Sequence, residues 1–113
     1  MLETIKSSTD ISLLFSQGTR FSTSCITLLA IQVDDQHDPV GRVAFIAGKK
    51  LGNAVWRNMA KRRMRSICHE LGGPWDGYHI VFLAKASLMN QEYSKVLHAC
   101  QKLLRRMMEE MAD

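Results

Sequence analysis

The segment KKLGNAVWRNMAKRRMR, which runs from Lys49 to Arg65, contains seven Lys or Arg residues and no acidic residue. The chain has 113 residues and a net charge of +4, and no acid lies between Asp38 and Glu70. Eight of the fifteen Lys and Arg residues fall in that interval. The positive charge is therefore concentrated in one part of the chain, which favours a polyanionic partner such as nucleic acid or an anionic membrane surface.

The spacing of apolar residues in this segment predicts a helix from about Asn53 to Leu71. On a wheel of about 100° per residue, a narrow apolar stripe contains Trp56, Ala60, Met64, Ile67 and Leu71. The opposite face carries Arg57, Asn58, Lys61, Arg62 and Arg65. Like charges four residues apart cost about 0.2–0.5 kcal/mol per pair, and no acid relieves them here. This face indicates a nucleic-acid partner, and a merely solvated face is the alternative.

The start of the predicted helix has features of a phosphate site. Lys49 and Lys50 follow a predicted strand, and Gly52 permits a tight turn. Asn53 either caps the helix or offers its side-chain oxygen outward. A strand that leads into a helix N-terminus beside lysines can bind phosphate. Trp56 could stack on a base, but its place on the apolar stripe favours packing in the core.

The remaining pattern predicts one domain over residues 1–113, in which helices pack against a sheet. We expect a first helix over SSTDISLLFSQ, capped by Ser7 or Ser8. The negative charge of Asp10 would stabilise its N-terminal end, and Gly18 in a left-handed conformation would end it. The predicted strands are CITLLAIQV, GRVAFIAG and YHIVFLA, with DDQHDP as a charged turn. Asn90 would cap a last helix, whose Met107, Met108 and Met111 are either core or a partner surface.

The sequence lacks the residue patterns that several classes of function require. The cysteines Cys25, Cys68 and Cys100 form no C-x-x-C pair, which argues against a zinc site or a disulfide framework and favours buried thiols. No carboxylate pair, serine elbow or oriented histidine suggests a catalytic site. No apolar run approaches about 18 residues, and the N-terminus is too polar for a signal peptide, so we expect a cytoplasmic protein.

The basic segment resembles the protein subunit of bacterial ribonuclease P, which carries a stretch close to KK-x-GNAV-x-RN-x-x-KR-x-x-R. Phe15, Gly18 and Arg20 match a further F-x-x-G-x-R pattern, and GYHIVFLAK follows the basic segment. The resemblance implies an α+β fold. This is a single-domain α/β sandwich with a mainly antiparallel sheet, three helices and a left-handed βαβ crossover, similar to the second domain of ribosomal protein S5.

The resemblance also implies a function. Ribonuclease P is an endoribonuclease that removes the 5′ leader from precursor tRNA. Its RNA subunit is the catalyst and requires Mg²⁺, whereas the protein is an accessory with no catalytic residue, no metal site and no cofactor of its own. The implied partners are the catalytic RNA and the precursor leader, not DNA or a membrane.

Roles follow position by position from the same resemblance. The RNA-binding residues would be Lys49, Lys50, Asn53, Arg57, Asn58, Lys61, Arg62 and Arg65. The leader would bind between the first helix and the sheet, at Phe15, Ile11, Ile26, Leu28 and Lys85.

The chain departs from the family pattern at three points. Met59 stands where the family usually has Arg, so either one phosphate contact is lost or Arg63 supplies it. Ile11 stands where an aromatic residue is usual, which would weaken stacking on the leader. No basic extension precedes the first helix, so affinity would depend more on the basic helix.

Three other functions are also compatible with the sequence. The first is a free-standing RNA-binding or ribosome-associated module. The second is a protein-only nuclease, which the lack of acids near the basic face disfavours. The third is a DNA-binding helix-turn-helix, which is disfavoured because the basic helix follows a strand.

Overall fold

The structure is a computed structural model that describes residue 5 and residues 8–33 and 40–111. Its helices and strands follow one another as α1 (Ser8–Gln17), β1 (Thr19–Ser22), β2 (Ile26–Gln32), β3 (Arg42–Ile46), α2 (Ala54–Glu70), β4 (Tyr78–Ala84) and α3 (Tyr93–Met111). Two short 3-10 turns precede α2 and α3, at Lys49–Leu51 and Ala86–Met89.

The strands form one four-stranded sheet in the order β1-β2-β4-β3. The β1–β2 and β2–β4 pairs are antiparallel, whereas β3 and β4 are parallel. Parallel neighbours need a crossover connection, and α2 supplies it. The predicted α+β fold with three helices is confirmed, and its sheet is mixed because of this one parallel pair.

The two faces of the sheet are covered by different helices. Alternate residues of a strand point to opposite faces. On β2, Ile26 and Leu28 pack in the larger core with α2 and α3, while Leu29 packs in a smaller core with Leu14 of α1 and with Ile5. The sheet therefore separates a surface built on α2 from a surface built on α1.

The predicted basic helix is confirmed within one residue at each end. Asn53 is its N-cap, and the side-chain Oδ1 accepts a hydrogen bond of 2.9 Å from the backbone N–H of Trp56. The core side of α2 is buried at Ala60, Met64, Ile67 and Cys68. Trp56 packs partly buried against the same core, as predicted.

The α3 helix also buries one stripe, at Val96, Cys100, Leu103 and Met107. Met108 and Met111 are partly buried against the same core. Of the two interpretations of the methionine cluster, the core interpretation is the one that the structure supports.

Two local predictions were wrong. Asn90 does not cap α3, because it ends the 3-10 turn Ala86–Met89 and α3 begins only at Tyr93. Gly18 is not left-handed, since the positive-φ residues of the described chain are Gly72 and Gly77. Gly18 instead permits close approach, because a Cβ there would clash with the carbonyl oxygen of Leu14. The predicted caps at Ser7, Ser8 and Asp10 and the charged turn at 34–39 lie outside the described residues and side chains.

Candidate nucleic-acid interface

The predicted RNA-binding residues of α2 lie on one side of a helix that is anchored in the core. Asn58, Arg62 and Arg65 are exposed, and Arg57 and Lys61 are half-buried. The only acid within α2 is its last residue, Glu70. Because Ala60, Met64 and Ile67 fix the opposite side of the helix, the cations are held at the spacing of the α-helix rather than on a loop.

Arg57 contains a buried donor. Its Nε is buried, and among the described residues it has no hydrogen-bond partner. A buried donor without an acceptor costs about 1–3 kcal/mol. Arg57 would therefore gain from an acceptor brought by a ligand.

Arg65 is oriented by the sheet. Its guanidinium carbon lies 5.3 Å from the centre of the Phe45 ring. Phe45 in turn lies 5.3 Å from the ring of Phe82, on the neighbouring strand. A cation over an aromatic face is attracted to the ring quadrupole. The contact directs the charge of Arg65 along the β3 side of α2.

Arg63 does not replace the arginine that is absent at position 59. Its Nη1 donates hydrogen bonds to the backbone carbonyls of Leu88 at 3.1 Å and Gln91 at 2.8 Å. Its guanidinium also lies 5.7 Å from the Tyr93 ring. Arg63 thus joins α2 to the segment before α3, and Met59, which is 49% exposed, is left as an apolar position on the helix surface.

The residues at the start of α2 lie beside its N-terminus. Lys49 and Lys50 are exposed on the 3-10 turn that precedes the helix. The Oδ1 of Asn53 accepts from Trp56 N–H, so of its two predicted roles the structure shows capping. Cations and free helix amides are therefore close together at this end of α2.

The α1 face of the sheet presents apolar side chains. Phe15 is 46% exposed, and Ile11 is partly buried in the cluster that contains Leu29 and Val81. The cluster continues across the sheet through partly buried residues of β2, β3 and β4, namely Ile31, Ile46 and Leu83. Phe15 and Ile11 are four residues apart, so they lie on the same side of α1.

Two predicted leader-binding residues are on the other face of the sheet. Ile26 is 0% exposed and Leu28 is 1% exposed, and both pack in the core beneath α2 and α3. They are not accessible to a ligand bound beside α1. The residue between them, Thr27, faces the α1 side and forms a hydrogen bond of 2.9 Å with Ser22.

Lys85 connects the end of β4 to the turn between β1 and β2. Its Nζ donates a hydrogen bond of 2.6 Å to the backbone carbonyl of Thr23, and its backbone N–H donates to the carbonyl of Cys25 at 3.1 Å. The charge of Lys85 is therefore held at one end of the sheet, beside the turn between β1 and β2.

The prediction from sequence missed an apolar strip on α2. Val55 is 67% exposed and Met59 is 49% exposed. On the helical wheel both residues lie next to Arg62 on one flank of the helix. Lys61 and Arg65 lie on the other flank. The spacing of Val55 and Met59 along the helix indicates this strip, whereas the distribution of charged residues does not.

The described residues show no metal cluster, no reactive thiol and no membrane-spanning helix. Among them, no group of three or more His, Cys, Asp or Glu residues could hold a metal ion. Cys25, Cys68 and Cys100 are free and buried, and burial raises the pKa of Cys68 and Cys100 to about 12. A helix long and apolar enough to span a bilayer does not occur within the described part of the chain.

Comparison with known proteins identifies the family. The family model described as Ribonuclease P matches residues 2–108. The chain belongs to this family. Ribonuclease P proteins are components of a nuclease that processes tRNA, and the resemblance of the basic segment is thereby confirmed.

Two curated ribonuclease P protein components illustrate the relationship. The one from Streptococcus mutans is 31% identical over 90 residues, which cover 80% of this chain and 73% of that protein. The one from Natranaerobius thermophilus is 31% identical over 101 residues, which cover 88% of this chain and 81% of that protein.

Solved ribonuclease P proteins share the fold. The protein from Staphylococcus aureus superposes with a TM-score of 0.78 at 20% identity, over 95% of this chain and 96% of that chain. The protein from Thermotoga maritima superposes with a TM-score of 0.76 at 24% identity, over 92% of this chain and 96% of that chain. At these identities the likeness concerns the fold, and it is consistent with the predicted crossover.

Proposed function

We propose that the chain is the accessory, RNA-binding subunit of ribonuclease P and assists a catalytic RNA in removing the 5′ leader from precursor tRNA in the cytoplasm. The observation that carries this proposal is the acid-free cationic side of α2, fixed on a core-anchored helix, in a member of the ribonuclease P family. Catalysis and its Mg²⁺ would belong to the RNA subunit. The protein would supply positive charge and a surface for the leader.

The cationic side of α2 would bind the catalytic RNA through its phosphates. Arg57, Lys61, Arg62 and Arg65 would each neutralise phosphate charge and release counterions. Asn58, exposed among them, would donate to a phosphate or sugar oxygen. Since the helix is already ordered by its core stripe, these contacts would not require folding of the segment on binding.

The start of α2 would bind at the junction of the catalytic RNA and the leader. Lys49 and Lys50 are exposed there beside the helix N-terminus, where free backbone amides and the helix dipole favour an anion. Asn53 would contribute by holding the first turn in place through its cap rather than by offering its oxygen to the ligand.

The leader would lie on the α1 face of the sheet. Phe15 is exposed enough to stack on an unpaired base, and Ile11 would pack beside it. The partly buried Ile31, Ile46 and Leu83 on that face, in place of Ile26 and Leu28, would form the floor. Lys85 would add one charge at the strand end, because its ammonium has three donors and Thr23 uses one of them.

The proposal is tested by cleavage of precursor tRNA at low Mg²⁺ with the cognate catalytic RNA, with and without this protein, beside a protein-only reaction. We expect cleavage at the mature 5′ end only when both components are present. Cleavage by the protein alone would assign the chemistry to the chain. If the protein adds nothing to the RNA at any Mg²⁺ concentration, it is not the activating subunit.

A further inference from the structure

A small pocket lies between α2 and the segment that leads into α3. It has a volume of about 220 Å³ and is lined by Met59, Arg62, Arg63, Ser66, Met89 and Tyr93. It lies on the opposite flank of α2 from Lys61 and Arg65, so it is separate from most of the cationic side of α2. Arg62 belongs to both, because it is exposed on the helix between them.

The wall of the pocket is held in place by hydrogen bonds. Arg63 reaches the carbonyls of Leu88 and Gln91, and its guanidinium lies 5.7 Å from the Tyr93 ring. These contacts tie the helix to the last part of the turn Ala86–Met89 and to the segment that follows it. A cavity whose walls are already fixed loses little conformational entropy when a ligand enters.

The pocket combines apolar surface with a buried polar group. Met59, Met89 and the ring of Tyr93 are its apolar parts. The Tyr93 hydroxyl is buried and has no hydrogen-bond partner of good geometry among the described residues. Ser66 and Glu70 are nevertheless close enough to influence the pKa of Tyr93, which burial raises above its ordinary value. A flat ring with polar edges would match this combination.

The surface around the pocket indicates what occupies it. Val55 and Met59 form an uncharged strip next to Arg62. A nucleic acid whose phosphates follow the cationic side of α2 would pass Arg62 and place the adjacent base over this strip. The volume is below the range of about 300–1,000 Å³ that is typical for drug-sized ligands, which suits a single base better than a peptide segment.

We propose that this pocket receives one unstacked base of the RNA that binds the cationic side of α2. The base would pack against Met59, Met89 and Tyr93, and Arg62 would hold the neighbouring phosphate. This inference rests on the proposed function and adds to it a base-binding subsite beside the phosphate contacts. It also gives a role to the apolar residue at position 59, where the side chain would contact a base instead of a phosphate.

The test fills the pocket and compares the result with the same change outside it. Ser66→Trp places an indole in the pocket from an exposed helix position, and Ser94→Trp makes the same change at an exposed position of α3 that does not line it. Affinity for the catalytic RNA is measured over a range of salt concentrations. Chemical probing of unpaired bases in the bound RNA is measured alongside.

We expect Ser66→Trp to weaken binding by roughly tenfold, which is the loss of one stacked base, without changing the salt dependence, because no phosphate contact is removed. One base that the wild-type protein protects should become reactive. Tyr93→Phe, which removes only the hydroxyl, should weaken binding by a few fold while leaving the unfolding midpoint unchanged or higher.

Other results would reject the inference. If Ser66→Trp and Tyr93→Phe bind like wild type and leave every protected base protected, the pocket does not receive RNA. If the loss in Ser66→Trp comes with a shallower salt dependence, a phosphate contact is responsible instead of a base. If the wild-type protein does not bind the catalytic RNA at all, the proposed function fails and this subsite fails with it.

Discussion

Arg63 on α2 donates a hydrogen bond of 2.8 Å to the backbone carbonyl of Gln91, two residues before α3 begins. This contact separates Arg63 from its neighbours in the basic segment. Although it lies between Arg62 and Arg65 in the basic segment, its guanidinium is used within the protein. A count of positive charges would assign it to RNA binding, but the geometry assigns it to stability.

Replacing Arg63 should therefore affect stability more than RNA binding. Arg63→Met removes two hydrogen bonds to carbonyls and a cation over Tyr93. We expect the free energy of unfolding to fall by about 1–3 kcal/mol, measured by urea denaturation. Arg62→Met is the matched control, since the exposed Arg62 should change stability by no more than about 0.5 kcal/mol. Equal stability of the two variants would contradict the assignment.

The cationic side of α2 should make RNA binding depend strongly on salt concentration. Arg57→Ala or Arg62→Ala should weaken binding to the catalytic RNA and reduce the slope of log K against log salt by about one unit if one phosphate contact is lost. Arg105→Ala removes the same charge from an exposed position on α3 and should leave the slope nearly unchanged. A slope that is unaltered in both α2 variants would exclude those residues from the interface.

Phe15 should distinguish precursor from mature tRNA. Phe15→Ala should weaken binding of precursor tRNA by the holoenzyme by roughly tenfold, as expected for one stacked base, and should affect mature tRNA little. Leu13→Ala is the control, because Leu13 is 43% exposed against 46% for Phe15 and lies on the other flank of Leu14. Equal losses for precursor and mature tRNA would show that Phe15 does not contact the leader.

The buried thiols predict instability at alkaline pH. Burial raises the pKa of Cys68 and Cys100 from 9.0 to about 12. Between these values the unfolded chain has lost protons that the native state retains, so the free energy of unfolding should fall as pH rises above about 9.

Urea denaturation at several pH values from about 8 to about 11 measures this effect. This range includes the ordinary thiol pKa of 9.0 and lies below the raised value of about 12 that both cysteines have in the folded protein. The Cys68→Ala, Cys100→Ala double variant should show a smaller decline with pH, although it starts from lower stability because core volume is lost. A decline of the same steepness in both proteins would mean that other groups cause it.

The sequence predicted the basic helix well because two independent signals agreed. The apolar stripe from Trp56 to Leu71 fixed its register, and Asn53 marked its start. The start of α3 was misplaced because Asn90 is as suitable for ending a 3-10 turn as for capping a helix. Single-residue cap signals cannot distinguish these cases without the tertiary structure.

The leader surface was only partly predictable. Residues Cys25 to Ala30 are all buried, because β2 has a helix on each face of the sheet. A strand buried on both sides is a continuous apolar run without visible alternation. Such a run does not indicate that Leu28 faces α2 while Leu29 faces α1. Similarly, the two carbonyls that bind Arg63 come from residues 25 and 28 positions later in sequence, beyond the reach of local patterns.

The alternation along β2 restricts which changes in length this protein can accept. A deletion of one residue between Ile26 and Leu29 would exchange the side chains that face the two helical layers. Both cores would be disturbed together, and the helix that carries the cations and the helix that carries Phe15 would lose their support at once. We therefore expect insertions and deletions to be absent from this strand among related proteins. A single substitution changes only one face, so the two cores can vary independently of each other.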